Sequence, residues 1–132
     1  MITLRSTRAA AICAVLTLAA ACSDSAAPAN PGTIELRPPA IGAAFAGANG
    51  TASFENEGGE RELEIQVQDV PPGTALVFFF DNAQIATQTA DVNGSARINL
   101  NSDAGATVPT SVAGKVVSVR TAAGVVVVTG TF

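Results

Sequence analysis

The chain contains no His, Trp or Tyr, and Lys115 is the only Lys in its 132 residues. Without His, the commonest general base and metal ligand are both missing. A Ser–His or Cys–His nucleophile pair is excluded for the same reason. No cluster of basic and aromatic side chains suited to nucleic acid is present. We therefore predict a protein without a cofactor, a metal ion or a nucleic-acid partner, and not an enzyme.

Cysteine is also scarce, with only Cys13 and Cys22. Cys13 lies in the uncharged, alanine-rich run Ala9–Ala21, which follows a short stretch carrying Arg5 and Arg8. A positive stretch before an apolar run shorter than the ~20 residues of a membrane span is typical of a secretory signal peptide. A transmembrane anchor or a buried helix is the alternative. We predict a signal peptide over 1–21, whose removal leaves no partner for a disulfide.

The end of this run, Leu18-Ala19-Ala20-Ala21-Cys22, resembles the lipobox of bacterial lipoproteins. The family more often has Leu where Ala19 stands. The resemblance implies cleavage before Cys22, a diacylglycerol on its thiol and, often, a further acyl group such as palmitate. Two or three acyl chains give a stable membrane anchor. Ser23 after the Cys favours the outer over the inner membrane by the sorting rule of enterobacterial lipoproteins. Plain signal peptidase cleavage, leaving a secreted soluble form, is the alternative.

The residues after Cys22 are small, polar and proline-bearing up to Gly32, which predicts a flexible tether over 22–32. Cleavage would also remove two basic residues, leaving 5 basic against 11 acidic ones, or a net charge of −6. Such a domain does not attract nucleic acid and is repelled by anionic membrane surfaces.

From Thr33 to Phe132 the pattern predicts β-strands throughout. In the clearest strand, Glu60–Asp69, apolar and polar residues alternate strictly. Asn56–Gly59 predicts a hairpin connection between two strands. Asn93-Gly94 is a strong turn signal, and a hairpin turn is the expected structure there. The other predicted strands are Thr33–Arg37, Thr51–Glu55, Leu76–Phe80, Gln84–Gln88, Gly94–Asn101, Lys115–Thr121 and Val125–Phe132. Seven or eight short strands indicate an all-β domain, an antiparallel β-sandwich or a partly open barrel.

Two of these strands, Leu76–Phe80 and Val125–Val128, are apolar on both faces. Either both of their faces are covered, or one face is a contact surface. We expect the core to centre on aliphatic and Phe side chains: Phe54, Leu63, Ile65, Val67, Phe78, Phe80, Ile98, Leu100, Val117 or its neighbour, and Val126.

Residues that could support chemistry are few. Glu60, Glu62 and Glu64 could pair as glycosidase carboxylates, but their strand face is predicted to be solvated. A Ser–Lys dyad would need Lys115 with a serine, Ser111 or Ser118, and a solvated Lys115 is the simpler interpretation. A loose calcium site would use Asp81, Asp91 or Asp103, although the stretch from Asp91 fails the EF-hand pattern. The irregular stretch Ser102–Gly114 is a candidate functional loop or a crossover between sheets.

The strand Gly50-Thr51-Ala52-Ser53-Phe54, followed by an alternating strand, gives the domain a distant similarity to the CHRD β-domain. The typical His residues of that family are absent, so no ligand role carries over from it.

Three functions are compatible with the sequence. The first is a non-enzymatic, lipid-anchored domain of the cell envelope that binds a protein or glycan, or has a structural role. The second is an assembly protein that self-associates or accepts a partner strand. The third is a hydrolase without His. The oligomeric state stays open.

Overall fold

A computed structural model of the chain describes residues 32–132, which form eight strands and no helix. The predicted signal peptide, Cys22 and nearly all of the tether lie outside the described residues. None of the described residues forms a helix with the length and hydropathy needed to cross a membrane. The strands are β1 (Thr33–Leu36), β2 (Asn49–Glu57), β3 (Glu60–Gln68), β4 (Ala75–Phe80), β5 (Ala83–Thr89), β6 (Ala96–Asn101), β7 (Val116–Thr121) and β8 (Val126–Thr131).

The strands form two four-stranded antiparallel sheets. The first sheet has the order β1-β2-β3-β6, and the second has the order β5-β4-β7-β8. Their inner faces share one core of aliphatic and Phe side chains. The prediction of an all-β antiparallel sandwich is confirmed.

The first sheet follows the alternation read from the sequence. Leu63, Ile65 and Val67 of β3 are fully buried. Phe54 of β2 lies opposite Leu63 in register, and Ile98 of β6 lies opposite Ile65. Because side chains alternate along a strand, the intervening Glu and Gln residues of β3 point to the outside.

In the second sheet, β4 has one buried and one outward apolar face. Leu76, Phe78 and Phe80 are buried, whereas Val77 and Phe79 point outward and are half-buried. The strand is central, between β5 and β7, so the outward face belongs to the middle of the sheet.

The β8 strand contains a bulge that the sequence pattern did not reveal. Val119 pairs with Val128, but Arg120 pairs with Val126, so Val127 is an extra residue in the pairing. Val127 and Val128 are both fully buried, because a bulge lets two consecutive side chains face the same side. The placement of Val126 in the core was therefore wrong: it is half-buried and lies beside Arg120 on the outside.

One side of the sandwich is closed where β1 meets β8. The backbone amides of Arg37 and Thr129 donate to each other's carbonyl oxygens, at 3.0 and 2.8 Å. A Cβ on Gly130 would lie only 2.6 Å from the carbonyl oxygen of Glu35. Glycine at this position therefore allows the two sheets to approach each other.

The turn before β6 is present, but it does not form a hairpin. The β5 and β6 strands lie in different sheets, so Asp91–Ser95 is a corner between the sheets. One carboxylate oxygen of Asp91 accepts the amide hydrogens of Asn93 and Ser95, both at 2.9 Å. Gly94 has a φ of 75°, and a Cβ there would lie 2.2 Å from the carbonyl oxygen of Val70. These residues specify the local turn but not the sheet that the next strand joins.

The irregular stretch Ser102–Gly114 connects the first sheet to the second. Val108 and Val112 on this stretch are buried in the core. The stretch is therefore the crossover that the sequence allowed, and its two valines close one end of the core. Leu100, expected at the centre, is only half-buried beside that end.

Candidate functional site

The outward face of the first sheet is acidic and carries its own hydrogen-bond partners. Glu60 accepts from the side-chain amide of Asn101 at 2.7 Å, and Glu62 accepts from that of Asn99 at 2.5 Å. Glu64 forms an ion pair with Arg97. Each pair is diagonal in the β3–β6 register, within reach of long side chains across neighbouring strands. The predicted carboxylate set is thus a polar ladder on the outside of the sheet.

A shallow depression lies where the β2–β3 hairpin brings four glutamates together. Glu55 is opposite Glu62, and Glu57 is opposite Glu60. Among residues 32–132, no three acidic side chains converge closely enough to hold a metal ion. The depression therefore shows like charges side by side without the geometry of a ligand set.

The three aspartates considered for a loose calcium site are not brought together. Asp91 lies at the corner between β5 and β6, at the end of the sandwich where β6 begins. Asp81, in the β4–β5 turn, and Asp103, just after β6, lie at the opposite end. Asp91 is engaged with its own turn.

Lys115 and the serines do not form a nucleophilic dyad. The Nζ atom of Lys115 donates to an oxygen of Asp81 at 2.8 Å, as an exposed ion pair. Ser111 is exposed in the crossover. Ser118 is buried in the middle of β7, where it lies opposite Phe79 and Thr129. The simpler interpretation of Lys115, a solvated charge, agrees with these contacts.

The outward face of the second sheet has a different character. Register places Val77 beside Arg120, Phe79 beside Ser118, and Arg120 beside Val126. We call this surface the Arg120 face and define it as Val77, Phe79, Val116, Ser118, Arg120 and Val126. Four of its six residues are large and apolar, and Arg120 is its only charged residue.

Arg120 is stacked on an aromatic ring at the centre of this face. Its guanidinium carbon lies 4.5 Å from the centroid of the Phe79 ring, within the range of a cation–π contact. Its Nε is buried and has no hydrogen-bond partner among the described residues, and none of the three ion pairs found there includes Arg120. A guanidinium carries five N–H donors in a planar fork that matches a carboxylate. The stacking therefore holds a guanidinium that has no ion-pair partner among the described residues against an apolar surface.

Sequence reasoning did not single out Arg120. The available signal was the unexplained apolar outer face of Leu76–Phe80 together with an Arg in a nearby strand. Without the β4–β7 register, no pattern places Arg120 opposite Val77.

Cys22, the predicted lipidation site, lies outside the described residues. No protein-family model matches this chain, and a search of curated proteins finds no significant match.

Proposed function

We propose that this protein is a lipid-anchored, non-enzymatic domain of the cell envelope that acts as a binding or structural module. The observation that carries the proposal is the Arg120 face, on which half-buried Val77 and Phe79 flank a stacked cation that has no ion-pair partner within residues 32–132. An apolar surface with a central Arg and an aromatic residue has the composition of a protein-binding site.

The chemistry of the face favours a protein segment over a glycan as the ligand. Val77, Val116 and Val126 offer no hydrogen bonds, whereas the hydroxyl groups of a sugar need partners when water is removed. An apolar segment with an acidic side chain fits, since its carboxylate can accept hydrogen bonds from Arg120.

The anchor in this proposal is the lipid on Cys22, suggested by the lipobox. An intact mass of the protein extracted from its native membrane tests it directly. The expected result is a chain that begins at Cys22 and carries diacylglycerol, with or without a further acyl chain. The Cys22→Ser variant is the control and should lose the added mass. A chain that begins at Cys22 with no added lipid would contradict the anchor and favour the soluble form.

The binding face is tested by capture from envelope extract with a matched pair of variants. Phe79→Asp places a charge on the Arg120 face, and Thr51→Asp places the same charge on the outward face of the first sheet. We expect wild type and Thr51→Asp to retain the same partner, and Phe79→Asp to lose it by at least tenfold. Equal capture by both variants would count against this face.

Self-association is the second candidate, and the β5 strand favours it. Within residues 32–132 this strand pairs only with β4, so no strand of that range pairs with its other edge, and its seven residues contain no charge and no Pro. Natural edge strands usually carry such residues to block pairing with another chain. Sedimentation of the protein in detergent tests this candidate: a concentration-dependent dimer supports it, and a monomer at all concentrations excludes it.

A further inference from the structure

Four connections emerge at one end of the sandwich: 37–48, 69–74, 90–95 and 122–125. Hydrogen bonds tie them to each other and to the sheets. The Asn49 side chain donates to Asp69 at 2.6 Å, and the Val70 amide donates to the Gly94 carbonyl oxygen at 3.2 Å. The Ala122 amide donates to the carbonyl oxygen of Ala75, also at 3.2 Å. The four loops therefore form one end surface of the domain.

This end surface carries most of the exposed apolar bulk. Among the described residues, four large apolar side chains are exposed, and three of them lie here. Ile41 is 107% exposed, Val92 is 87% exposed and Val125 is 44% exposed. Ile41 belongs to the segment Pro38–Ala48, which has no polar side chain in eleven residues. We call Ile41, Val92 and Val125 the apolar tip.

Two exposed acidic residues at this end, Asp69 and Asp91, accept hydrogen bonds from the protein itself. The Asp91 carboxylate accepts two backbone amides of its own turn, and Asp69 accepts the side chain of Asn49. Arg37, at the start of the first loop, is paired with Glu35. The opposite end of the sandwich carries the exposed acids Glu57, Glu60, Asp81 and Asp103. Both ends thus carry exposed acids, and they differ in the exposed apolar side chains; we call the end with Glu57, Glu60, Asp81 and Asp103 the acidic end.

From this arrangement we infer that the apolar tip inserts into the interface of a lipid bilayer. Ile41 and Val92 project from separate loops as isolated side chains. A protein partner would need a complementary pocket for each, whereas a fluid bilayer accommodates projecting side chains without one. Because the tip itself contains no cation, a zwitterionic surface is the expected target, and binding is expected to be insensitive to salt.

The inference rests on the proposed lipid anchor only for bringing the domain to a membrane. The 10 residues from Cys22 to Pro31 span at most ~35 Å when fully extended. The four residues of β1, which lead from Gly32 toward the tip, rise only ~13 Å. A chain attached to a membrane at Cys22 is therefore long enough to let the tip reach the same membrane.

Tryptophan fluorescence can test this inference, because the chain has no Trp or Tyr and one introduced Trp is then its only strong fluorophore. The full chain is extracted from its native membrane and placed in phosphatidylcholine vesicles with or without brominated acyl chains. Ile41→Trp is compared with Ala104→Trp, an exposed position at the acidic end. We expect the emission of Ile41→Trp to shift to the blue and to be quenched by bromine at least twofold, with no change for Ala104→Trp.

A second comparison removes the tip while keeping a reporter. In the Val125→Trp background, the pair Ile41→Asp and Val92→Asp should reduce bromine quenching at least threefold. All of these sites are exposed, so the fold should persist. Equal quenching of Ile41→Trp and Ala104→Trp would overturn the inference.

The same sample separates this inference from the proposed function. The intact mass of the extracted chain reports the lipid on Cys22, and the quenching reports the tip. A lipid without Ile41→Trp quenching refutes the tip and leaves the anchor. Quenching without a lipid supports the tip and refutes the anchor. The absence of both the lipid and the quenching refutes both proposals.

Discussion

The two outward faces of the sandwich differ in how their side chains are partnered. On the first sheet, Glu60, Glu62 and Glu64 each have a partner on the neighbouring strand. On the second sheet, Val77 and Phe79 present apolar area, and the Nε of Arg120 has no partner within the described residues. On the face of the first sheet the glutamates of β3 already have partners, so covering them offers little further gain. A face that is apolar with a spare cation gains from being covered.

Two consecutive phenylalanines give the largest test of this difference. Phe78 is fully buried in the core, whereas Phe79 lies on the Arg120 face. We expect Phe78→Ala to lower the free energy of unfolding by about 3–5 kcal/mol, the range for removing a buried Phe. Phe79→Ala should lower it by about 1 kcal/mol or less, from lost area and lost stacking on Arg120. Urea denaturation measures both, and equal losses would show that Phe79 is part of the core.

Two consecutive valines of β8 test the bulge. Val127→Ala removes buried methyl groups and should cost roughly 2 kcal/mol of stability. Val126→Ala should cost roughly 0.5 kcal/mol, because Val126 faces outward beside Arg120. Without the bulge, and with Val128 still opposite Val119, Val127 would pair with Arg120 on the outside and Val126 would face the core. The ranking of the two losses would then reverse, because a shift of one residue exchanges the two faces. The comparison is made by thermal or urea unfolding.

Two arginines, one on each face, give the smallest expected change in stability. Arg97 pairs with Glu64 in solvent, and an exposed ion pair contributes about 0–1 kcal/mol. Arg120→Ala should have a similarly small effect on unfolding. The two variants should differ in partner capture, where Arg120→Ala loses at least tenfold and Arg97→Ala matches wild type. If Arg97→Ala also lost the partner, binding would not be confined to the Arg120 face.

The sequence predicted the strands well where one face is polar. In Glu60–Asp69 apolar and polar residues alternate clearly, and the residues predicted to face inward, Leu63, Ile65 and Val67, are buried in the structure. In Leu76–Phe80 the outward residues are also apolar, so the pattern could not say which face is the core. In Val125–Val128, which valines face the core depends on a bulge, and the bulge is a property of the pairing with β7 and not of β8 alone. Asn93-Gly94 marked a turn correctly, but a turn does not fix the sheet that its second strand enters.

The candidate site was harder to predict because it depends on neighbours from distant parts of the chain. Val77 and Arg120 are 43 positions apart and meet only through the β4–β7 register. The apolar tip combines loops that begin at residues 37, 90 and 122, which the sandwich topology brings to the same end. The pattern of Leu76–Phe80 left open whether both of its faces are covered or one is a contact surface, and the register shows which side chains point outward.

We propose that the Arg120 face, and not the outward face of the first sheet, contacts another protein in the envelope. Site-specific photo-crosslinking in the native membrane tests this most directly, with the reactive group placed at Phe79 or, as the control, at Thr51. We expect a discrete crosslinked protein from position 79 and none from position 51. The same crosslinked products from both positions, or none from position 79, would contradict it.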